Sequence, residues 1–403
     1  MKNSYSRREF LRVSAIGSVG MKAGLLGLDG TRITQAQTPT PAQPAVTPNA
    51  PAIRVGIIGT GARAARHIAA LHAVPGFRIV AAADVDEDRL ARGVALSGEK
   101  VAGYADYQKL LANPEVDAVL VATPNLFHKE QIIAAAQAGK HVLAEKPLAT
   151  SHQESLELQK LSDASPQIIQ YGLQLRYSSR FAELKRLVQS GRVGVPKYFH
   201  IAEFRGDWNN KNVWLYTDPK TGRKINWRYS QKASGGTLNE KCCHYFDILN
   251  WLADDVPRTV FCHGGNSIYT DRETWDNASL TLQYTNDLQA TFGLCMFGPN
   301  RLDLQVIGTE GSLAVAAEEA TILWHRRNNR NGEKLPIPAE IGHGQGGRGN
   351  ETAVLRLYED FRDNIHAGRQ PIFDTRAAVN ASKVAFLGEL SHTEKATVAW
   401  DQL

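Results

Sequence analysis

The chain is 403 residues long, with 43% apolar and 22% charged residues. This is an ordinary globular composition, sufficient for two domains and without the bias of a disordered or fibrous chain. The net charge of +5 is concentrated at one end, because Lys2, Arg7, Arg8, Arg12, Lys22 and Arg32 face only Glu9 and Asp29 in residues 1–36. The remainder is nearly neutral, which leaves no basic stripe to argue for nucleic acid.

Ser6-Arg7-Arg8-Glu9-Phe10-Leu11-Arg12, followed by a weakly apolar run from Val13 to Leu28, reads as a twin-arginine export signal over residues 1–36. Lys22 interrupts the run, and a stable membrane span needs about 20 uninterrupted apolar residues. Residues 37–52 form a Pro/Ala/Thr linker that cannot bury enough surface to fold. The expectation is a periplasmic or otherwise exported protein that engages the twin-arginine export machinery. Cys242, Cys243, Cys262 and Cys295 have neither a disulfide-framework pattern nor zinc-site spacing, so no metal is expected. Cys242 and Cys243 read as packing residues, and a Cys262–Cys295 bridge is left open.

Ile53-Arg54-Val55-Gly56-Ile57-Ile58 is a β-branched, nearly continuous apolar run, the pattern of a strand buried on both faces. It leads into Gly59-Thr60-Gly61-Ala62-Arg63, where two glycines allow a tight turn and close backbone approach, and then into a helix from about Ala62 to Ala73. Such a turn holds a pyrophosphate on the free N–H groups of the helix N-terminus. The next strand ends at Asp84, whose carboxylate suits both ribose hydroxyls of an adenosine and repels a 2′-phosphate. NAD is therefore expected over NADP, with Arg63 and Arg89 as the counterweight. An exported enzyme would have to hold that cofactor tightly, because the periplasm supplies no free pool.

The strand Val116–Ala122 is closed by Thr123-Pro124-Asn125 and His128, of which His128 also reads simply as a helix-start residue. After a glycine stop at Gly139, the strand His141–Ala144 delivers Glu145-Lys146-Pro147. Proline biases Lys146 toward an extended conformation at the strand's mouth. A helix from about Ser151 to Ser162 and a strand Gln167–Tyr171 complete a domain spanning 53–172. In an open parallel sheet all these strand ends gather at one edge, where ligands bind.

Gly-Ile-Ile-Gly-Thr-Gly, Asp84, Thr123-Pro124-Asn125, His128 and Glu145-Lys146-Pro147, in this order, resemble the glucose–fructose oxidoreductase, inositol dehydrogenase and rhizopine-catabolism (Gfo/Idh/MocA) family. The resemblance implies an α/β fold with an N-terminal Rossmann doubly wound parallel sheet. It also implies a C-terminal α+β domain, residues 173–403, with a large open, mainly antiparallel sheet used for oligomerisation, hence a homo-oligomer. It assigns Lys146 to the nicotinamide ribose and the substrate hydroxyl, and the Gly59–Arg63 turn, Asp84, Thr123–Asn125, His128 and Glu145 to the cofactor side.

In the second domain, Arg176-Tyr177 precedes a helix pattern marked by Phe181, Leu184, Leu187 and Val188. Trp208, Asn209, Asn210, Trp214, Tyr216 and Trp227 either stack on a sugar or pack their own loop. Gly235-Gly236 leads into a helix on which Asn239, Glu240 and His244 fall, the last two four residues apart and able to reach one point. The family carries Gly-Gly…Asp-x-Gly-x-His-x-x-Asp here. His244 and Asp247 match, whereas Glu240 stands for Asp and Cys242 for Gly. Alternating segments from Thr259 to Ala316 predict an antiparallel sheet, the loop around His343 is a candidate substrate cover, and helices follow over about 352–366 and 377–390. The 377–390 helix is expected to pack back on the first domain.

These features point to an NAD-dependent oxidoreductase acting on a CH–OH group of a sugar, polyol or sugar derivative. His244 is the base, Lys146 orients the alcohol, and Glu240 supports His244 or binds a second hydroxyl. Arg176, Tyr177, Trp208, Asn239 and His343 are candidate substrate contacts. An NAD-dependent glycoside hydrolase working by transient oxidation and elimination is the alternative. A non-catalytic NAD or sugar sensor is the third reading, opposed by the presence of both Lys146 and His244.

Overall fold

Ile53–Ile58 forms strand β1, and its near-total burial follows from being covered on both faces. The computed structural model describes residues 50–207, 215–217, 221–316, 321–329, 331–338, 349–371 and 375–403, which belong to one compact unit. The export stretch, most of its linker, Trp208, Asn209, Asn210, Trp214 and His343 lie outside the described residues.

Around β1 run β2 (Phe77–Ala83), β3 (Ala102–Tyr104), β4 (Ala118–Val121), β5 (His141–Ala144) and β6 (Ile169–Tyr171). All are parallel in the order β3-β2-β1-β4-β5-β6. The connecting helices include α1 (Ala62–Ala73), α2 (Glu87–Ser97), α3 (His128–Gln137) and α4 (His152–Ala164). Side-chain oxygens of Asp86 and Ser151 accept from the first-turn N–H groups of Arg89 and Glu154, capping α2 and α4.

Because side chains alternate across a strand, the sheet feeds two cores. Ala118, Leu120 and Leu143 join Val55, Ile57 and α1 on one face, where Val354, Leu357, Tyr358 and Phe361 of α7 (Gly349–Ala367) complete the packing. Val119, Val121, Val142 and Ala144 face the other way into a larger core shared with the second sheet. Burying each such branched or aromatic side chain contributes roughly 1.5–3 kcal/mol.

The second sheet contains β7 (Pro196–Phe204), β10 (Thr259–Gly265), β11 (Asn277–Gln283), β12 (Gln289–Cys295), β13 (Arg301–Gly308), β14 (Gly311–Ala316), β15 (Thr321–Arg326), β16 (Glu333–Pro336) and β17 (Val398–Ala399). A separate pair, β8 (Leu215–Thr217) and β9 (Lys224–Asn226), forms an antiparallel hairpin. The large sheet runs β16-β15-β14-β13-β7-β12-β11-β10-β17 and is antiparallel except where β12 lies parallel to β7. In β11, Ala278, Leu280 and Leu282 are buried while Ser279, Thr281 and Gln283 are exposed, so this sheet is covered on one face.

Helices α5 (Ser179–Gln189), α6 (Cys243–Ala253) and α8 (Thr375–Glu394) contribute to that cover. Helix α8 also reaches the first domain, where Thr375 Oγ1 donates to Ser162 Oγ at 2.7 Å. Cys262 and Cys295 are free thiols on β10 and β12, which are separated by β11. Two strand spacings of ~4.8 Å exceed disulfide reach, so the bridge left open by the sequence does not form.

Candidate functional site

The parallel strands place the ends of β1, β2, β4 and β5 along one edge, and a cleft of about 1520 Å³ opens there. Gly59, Gly61, Ala62 and Arg63 line it behind β1, Asp84 behind β2, Thr123, Pro124 and Asn125 behind β4, and Glu145 and Lys146 behind β5. The opposite wall comes from the end of β7 and the segments carrying Trp227–Arg228 and Glu240–Tyr245. An ordinary small-molecule pocket is roughly 300–1,000 Å³, so this volume suits a dinucleotide with a second ligand beside it.

The glycine turn fits a pyrophosphate. Gly59 has φ +89°, and a Cβ there would lie 2.9 Å from the Ala122 backbone. Gly61 has no neighbour within 4 Å of a built Cβ, leaving the backbone open, and no side chain caps α1 behind it. The uncapped N–H groups are the donors that an anion needs. Thr60 does not line the cleft. Its N–H and hydroxyl donate to Asp84 Oδ2 at 2.8 and 3.1 Å, while Asp84 Oδ1 accepts from the Asp86 N–H at 3.0 Å. The turn thus fixes the carboxylate that the sequence reading assigned to the ribose.

Both arginines set against NAD have partners in the structure. Arg63 Nε donates to Glu145 Oε1 at 2.5 Å, and Arg89 reaches the Leu215 carbonyl at 2.7 Å. His67 Nε2 lies 2.6 Å from the same Glu145 oxygen, and His67 Nδ1 lies 2.9 Å from the Tyr358 hydroxyl. Burial pushes Glu145 toward protonation, but Arg63 and His67 prevail and hold it well below the ordinary carboxylate range. An ionised Glu145 only accepts, so His67 Nε2 carries the proton and Nδ1 accepts from Tyr358. The Glu145 side chain also receives the Lys146 N–H at 3.1 Å, bracing the residue that follows β5. The Lys146–Pro147 peptide is cis.

Lys146 Nζ crosses to the other wall, donating to Glu240 Oε1 at 3.0 Å and to the Glu240 carbonyl. Glu240 lies in a π-helical turn, Leu238–Cys242, that runs into α6. Gly235 and Gly236 before it have φ +78° and +85°, and a Cβ on Gly236 would meet Glu389 Oε1 at 2.0 Å. Glu240 is 1% exposed. Burial raises its proton affinity, yet Arg228 at 2.9 Å and Lys146 together hold its pKa at about 2.

His244 is 9% exposed and lines the cleft, and neither ring nitrogen has a hydrogen-bond partner among the described residues. Burial first, then the nearby Lys146 and Lys241 charges, lowers its pKa well below the usual 6.5. It is therefore neutral at pH 7 and can accept a proton.

Several of the expected site residues lie off the cleft lining. Arg176, Tyr177, Asn239 and His128 do not line the cleft. Arg176 forms a two-pronged ion pair with buried Asp247, and Tyr177 donates to Asp360 at 2.6 Å, tying α7 to this turn. Asn239 donates to the Ala149 carbonyl at 2.8 Å. His128 lies 2.9 and 3.0 Å from the Pro147 and Thr123 carbonyls, clasping the loops after β4 and β5. Asn125 lines the cleft, but its amide donates to the Ser234 carbonyl at 2.9 Å and fastens the two walls together.

Residues that the sequence reading missed include Gln174, Glu203, Arg205, Arg228 and Lys241, all on the cleft wall. Gln174 immediately precedes Leu175 and Arg176 in a tight 3₁₀ turn, so the cleft-facing members could not be chosen from residue type. Lys241 pairs with Glu203 at 2.6 Å. Adjacency to Glu240 was the only sequence signal for it. No group of three or more His, Cys, Asp or Glu among the described residues is arranged to hold a metal, and no described helix is long and apolar enough to cross a membrane.

Residues 53–173 match the GFO/IDH/MocA family model, described as an oxidoreductase family with an NAD-binding Rossmann fold, and residues 181–314 match the GFO/IDH/MocA C-terminal domain. An uncharacterised oxidoreductase of Synechocystis sp. is 26% identical over 369 residues, covering 87% of this chain and 96% of the relative. The inositol 2-dehydrogenase/D-chiro-inositol 3-dehydrogenase of Shouchella clausii is 39% identical over 206 residues, covering 50% of this chain and 54% of that enzyme. Among solved structures, levoglucosan dehydrogenase in complex with NADH and levoglucosan has the same fold, with a TM-score of 0.75 at 20% identity over 87% of this chain and 100% of the other. Two adjoining matches to one family, on the two sheets that form the cleft, establish that this chain belongs to the GFO/IDH/MocA family and is an NAD-dependent oxidoreductase.

Proposed function

We propose that the protein oxidises a secondary alcohol of a sugar or polyol to the ketone, or catalyses the reverse reaction. The observation that carries this reading is the convergence of Lys146, from the first domain, and Glu240 and neutral, unpartnered His244, from the second, on one end of the dinucleotide cleft. NAD, when bound, supplies the acceptor for the hydride. As the carbinol C–H bond breaks and its electron pair leaves, the hydroxyl proton passes to the free nitrogen of His244, so the substrate loses two electrons and two hydrogens.

Lys146 donates to the alcohol oxygen and stabilises the negative charge that develops on it. Glu240 keeps Lys146 in place through the 3.0 Å contact. The inositol and levoglucosan dehydrogenase names among the relatives support a polyhydroxylated substrate.

The test is native mass spectrometry for a co-purifying dinucleotide, followed by a panel of sugars and inositols monitored for NADH. Lys146→Ala and His244→Ala should each abolish turnover while NAD remains bound. Full activity in both variants would refute the assignment. Aglycone release from a model glycoside without net NADH would instead favour the hydrolase.

The reading includes export of the folded holoprotein by the twin-arginine route, supported by Ser6–Arg12. Replacing Arg7 and Arg8 together by Lys should hold the protein in the cytoplasm on fractionation, and unchanged export would remove this part of the proposal.

A further inference from the structure

Glu203 and Lys241 form an ion pair on the wall of the cleft that carries His244, and no step of the proposed reaction uses it. Lys241 Nζ lies 2.8 Å from Glu203 Oε1 and 2.6 Å from Oε2. Both side chains line the cleft at 13% and 14% exposure, so the pair is largely withdrawn from water yet reachable by a ligand. Lys146 donates to the Glu240 carbonyl, which belongs to the peptide linking Glu240 to Lys241. Consecutive Cα atoms are about 3.8 Å apart, so the pair stands directly beside the place where Lys146 meets the alcohol. The pyrophosphate donors, at Gly59–Ala62, belong to the other wall.

An ammonium has three N–H donors, and an ionised carboxylate has about four acceptor positions. The two Glu203 oxygens engage at most two of the Lys241 hydrogens, and the ammonium makes no other hydrogen bond among the described residues. At least one donor and one acceptor position therefore remain for a ligand. A hydroxyl uses both at once, because it accepts from the ammonium while donating to the carboxylate. An anion would be repelled by Glu203, and an apolar group would leave the donor unmet at a cost of about 1–3 kcal/mol. The Tyr245 ring supports the ammonium, 5.1 Å from its centroid, and packs in turn against Phe292 at 5.7 Å. A pair braced in this way is ordered before the ligand arrives, which lowers the cost of binding.

We propose that Glu203 and Lys241 are specificity-determining residues, which together hold a second hydroxyl of the substrate beside the one that Lys146 and His244 bring into reaction. This assigns recognition of the second hydroxyl within the oxidoreductase reading and rests on that reading.

The experiment sets D-glucose, D-galactose, D-mannose and myo-inositol each against its monodeoxy derivatives, using the NAD-loaded protein and following NADH. With the unmodified protein, one derivative that keeps the oxidised hydroxyl should lose at least about tenfold in kcat/KM, the scale of one hydrogen bond to a charged group. Lys241→Met should cost the parent compound a similar factor and that derivative much less, so that the ratio between them collapses. Glu203→Gln, which keeps an acceptor, should retain part of the ratio. Thermal melts check that both variants fold. The double variant Glu203→Gln/Lys241→Met, which leaves no unpaired charge, replaces a single variant that does not.

Parent and deoxy compounds turned over alike, or a ratio that survives Lys241→Met because both fall equally, would overturn the second-hydroxyl site and leave the oxidoreductase reading intact. If no compound yields NADH, the oxidoreductase reading fails by itself. Calorimetric titration of the same compounds into the NAD-loaded protein then decides the pair: a parent bound more tightly than one of its deoxy derivatives, with the difference lost in Lys241→Met, supports it, and equal or absent binding overturns it.

Discussion

Lys146 Nζ and Glu240 Oε1 lie 3.0 Å apart although 94 positions separate them in the chain, and this contact joins the mouth of β5 to the π-helical turn before α6. Glu240 holds a second cation, Arg228, at 2.9 Å, so removing the buried carboxylate takes a counter-charge from two largely buried cations at once. Breaking a buried ion pair from one side costs about 3–5 kcal/mol. Glu240→Ala should therefore lower the melting temperature sharply and reduce kcat/KM by at least about a hundredfold, since Lys146 loses its anchor. Glu240→Asp, which keeps the charge on a shorter arm, should recover part of both. Calorimetric melts and steady-state kinetics on the two variants check this.

The pH dependence follows from the buried histidines. His67 and His244 both have folded pKa values pushed below the usual 6.5, burial being the main cause. Below pH 6.5 the unfolded chain takes up protons that the folded protein resists, so stability is full above pH 6.5 and declines as pH falls from there toward the depressed folded values. For alcohol oxidation, His244 must be neutral, so kcat/KM should stay flat through pH 6.5 and fall only at distinctly lower pH. A pH–rate profile with a single acid limb centred at 6.5 or above would contradict the assignment of His244 as base.

Tyr358 acts at a distance on Lys146. Its hydroxyl holds His67 Nδ1 at 2.9 Å, His67 holds Glu145 at 2.6 Å, and Glu145 accepts the Lys146 N–H. Tyr358→Phe removes one hydrogen bond and should cost about 1 kcal/mol of stability. Because His67 then loses the hydroxyl that orients its ring against Glu145, kcat should fall several-fold with little change in the Kd for NAD. Equal losses in both would indicate a merely structural role. Fluorescence titration of NAD and turnover measurements separate the two.

The hairpin of β8 and β9 reaches the end of the cleft lined by Asp84 and Arg89. Leu215 gives its carbonyl to Arg89 at 2.7 Å, and the Tyr216 ring stands edge-on to Phe127 with centroids 5.7 Å apart. Tyr216→Ala should raise the NAD dissociation rate about three- to tenfold, the loss expected for one aromatic contact. Stopped-flow displacement of NADH measures it directly.

Asp84 offers a test of cofactor choice. Thr60 and the Asp86 N–H fix its carboxylate at the cleft, and the arginines nearby are engaged by Glu145 and Leu215. Asp84→Ser should raise KM for NAD by about tenfold or more while narrowing the preference over NADP. An unchanged ratio would place the ribose elsewhere.

What the sequence determined alone is the part written in local pattern. The apolar run of β1, the glycines behind it, Asp84 after β2 and Lys146 after β5 were legible because strand period, turn chemistry and helix starts depend on residues close in the chain. His244 was legible because the Gly-Gly lead-in and a helical pattern surround it. Tertiary structure alone decided which polar groups meet. The partner of Glu145 comes from α1, the partner of His67 from α7, and the second partner of Glu240 is Arg228, none of which any local spacing encodes. Arg176 and Tyr177 show the same limit from the other side: their types suggested substrate contacts, but Asp247 and Asp360 claim them. Parallel pairing of β7 with β12 and the separation of Cys262 from Cys295 depend on sheet order. Strand order and long-range side-chain pairing are set when two cores close against one another, because only then do buried charges find the partners that offset their loss of water.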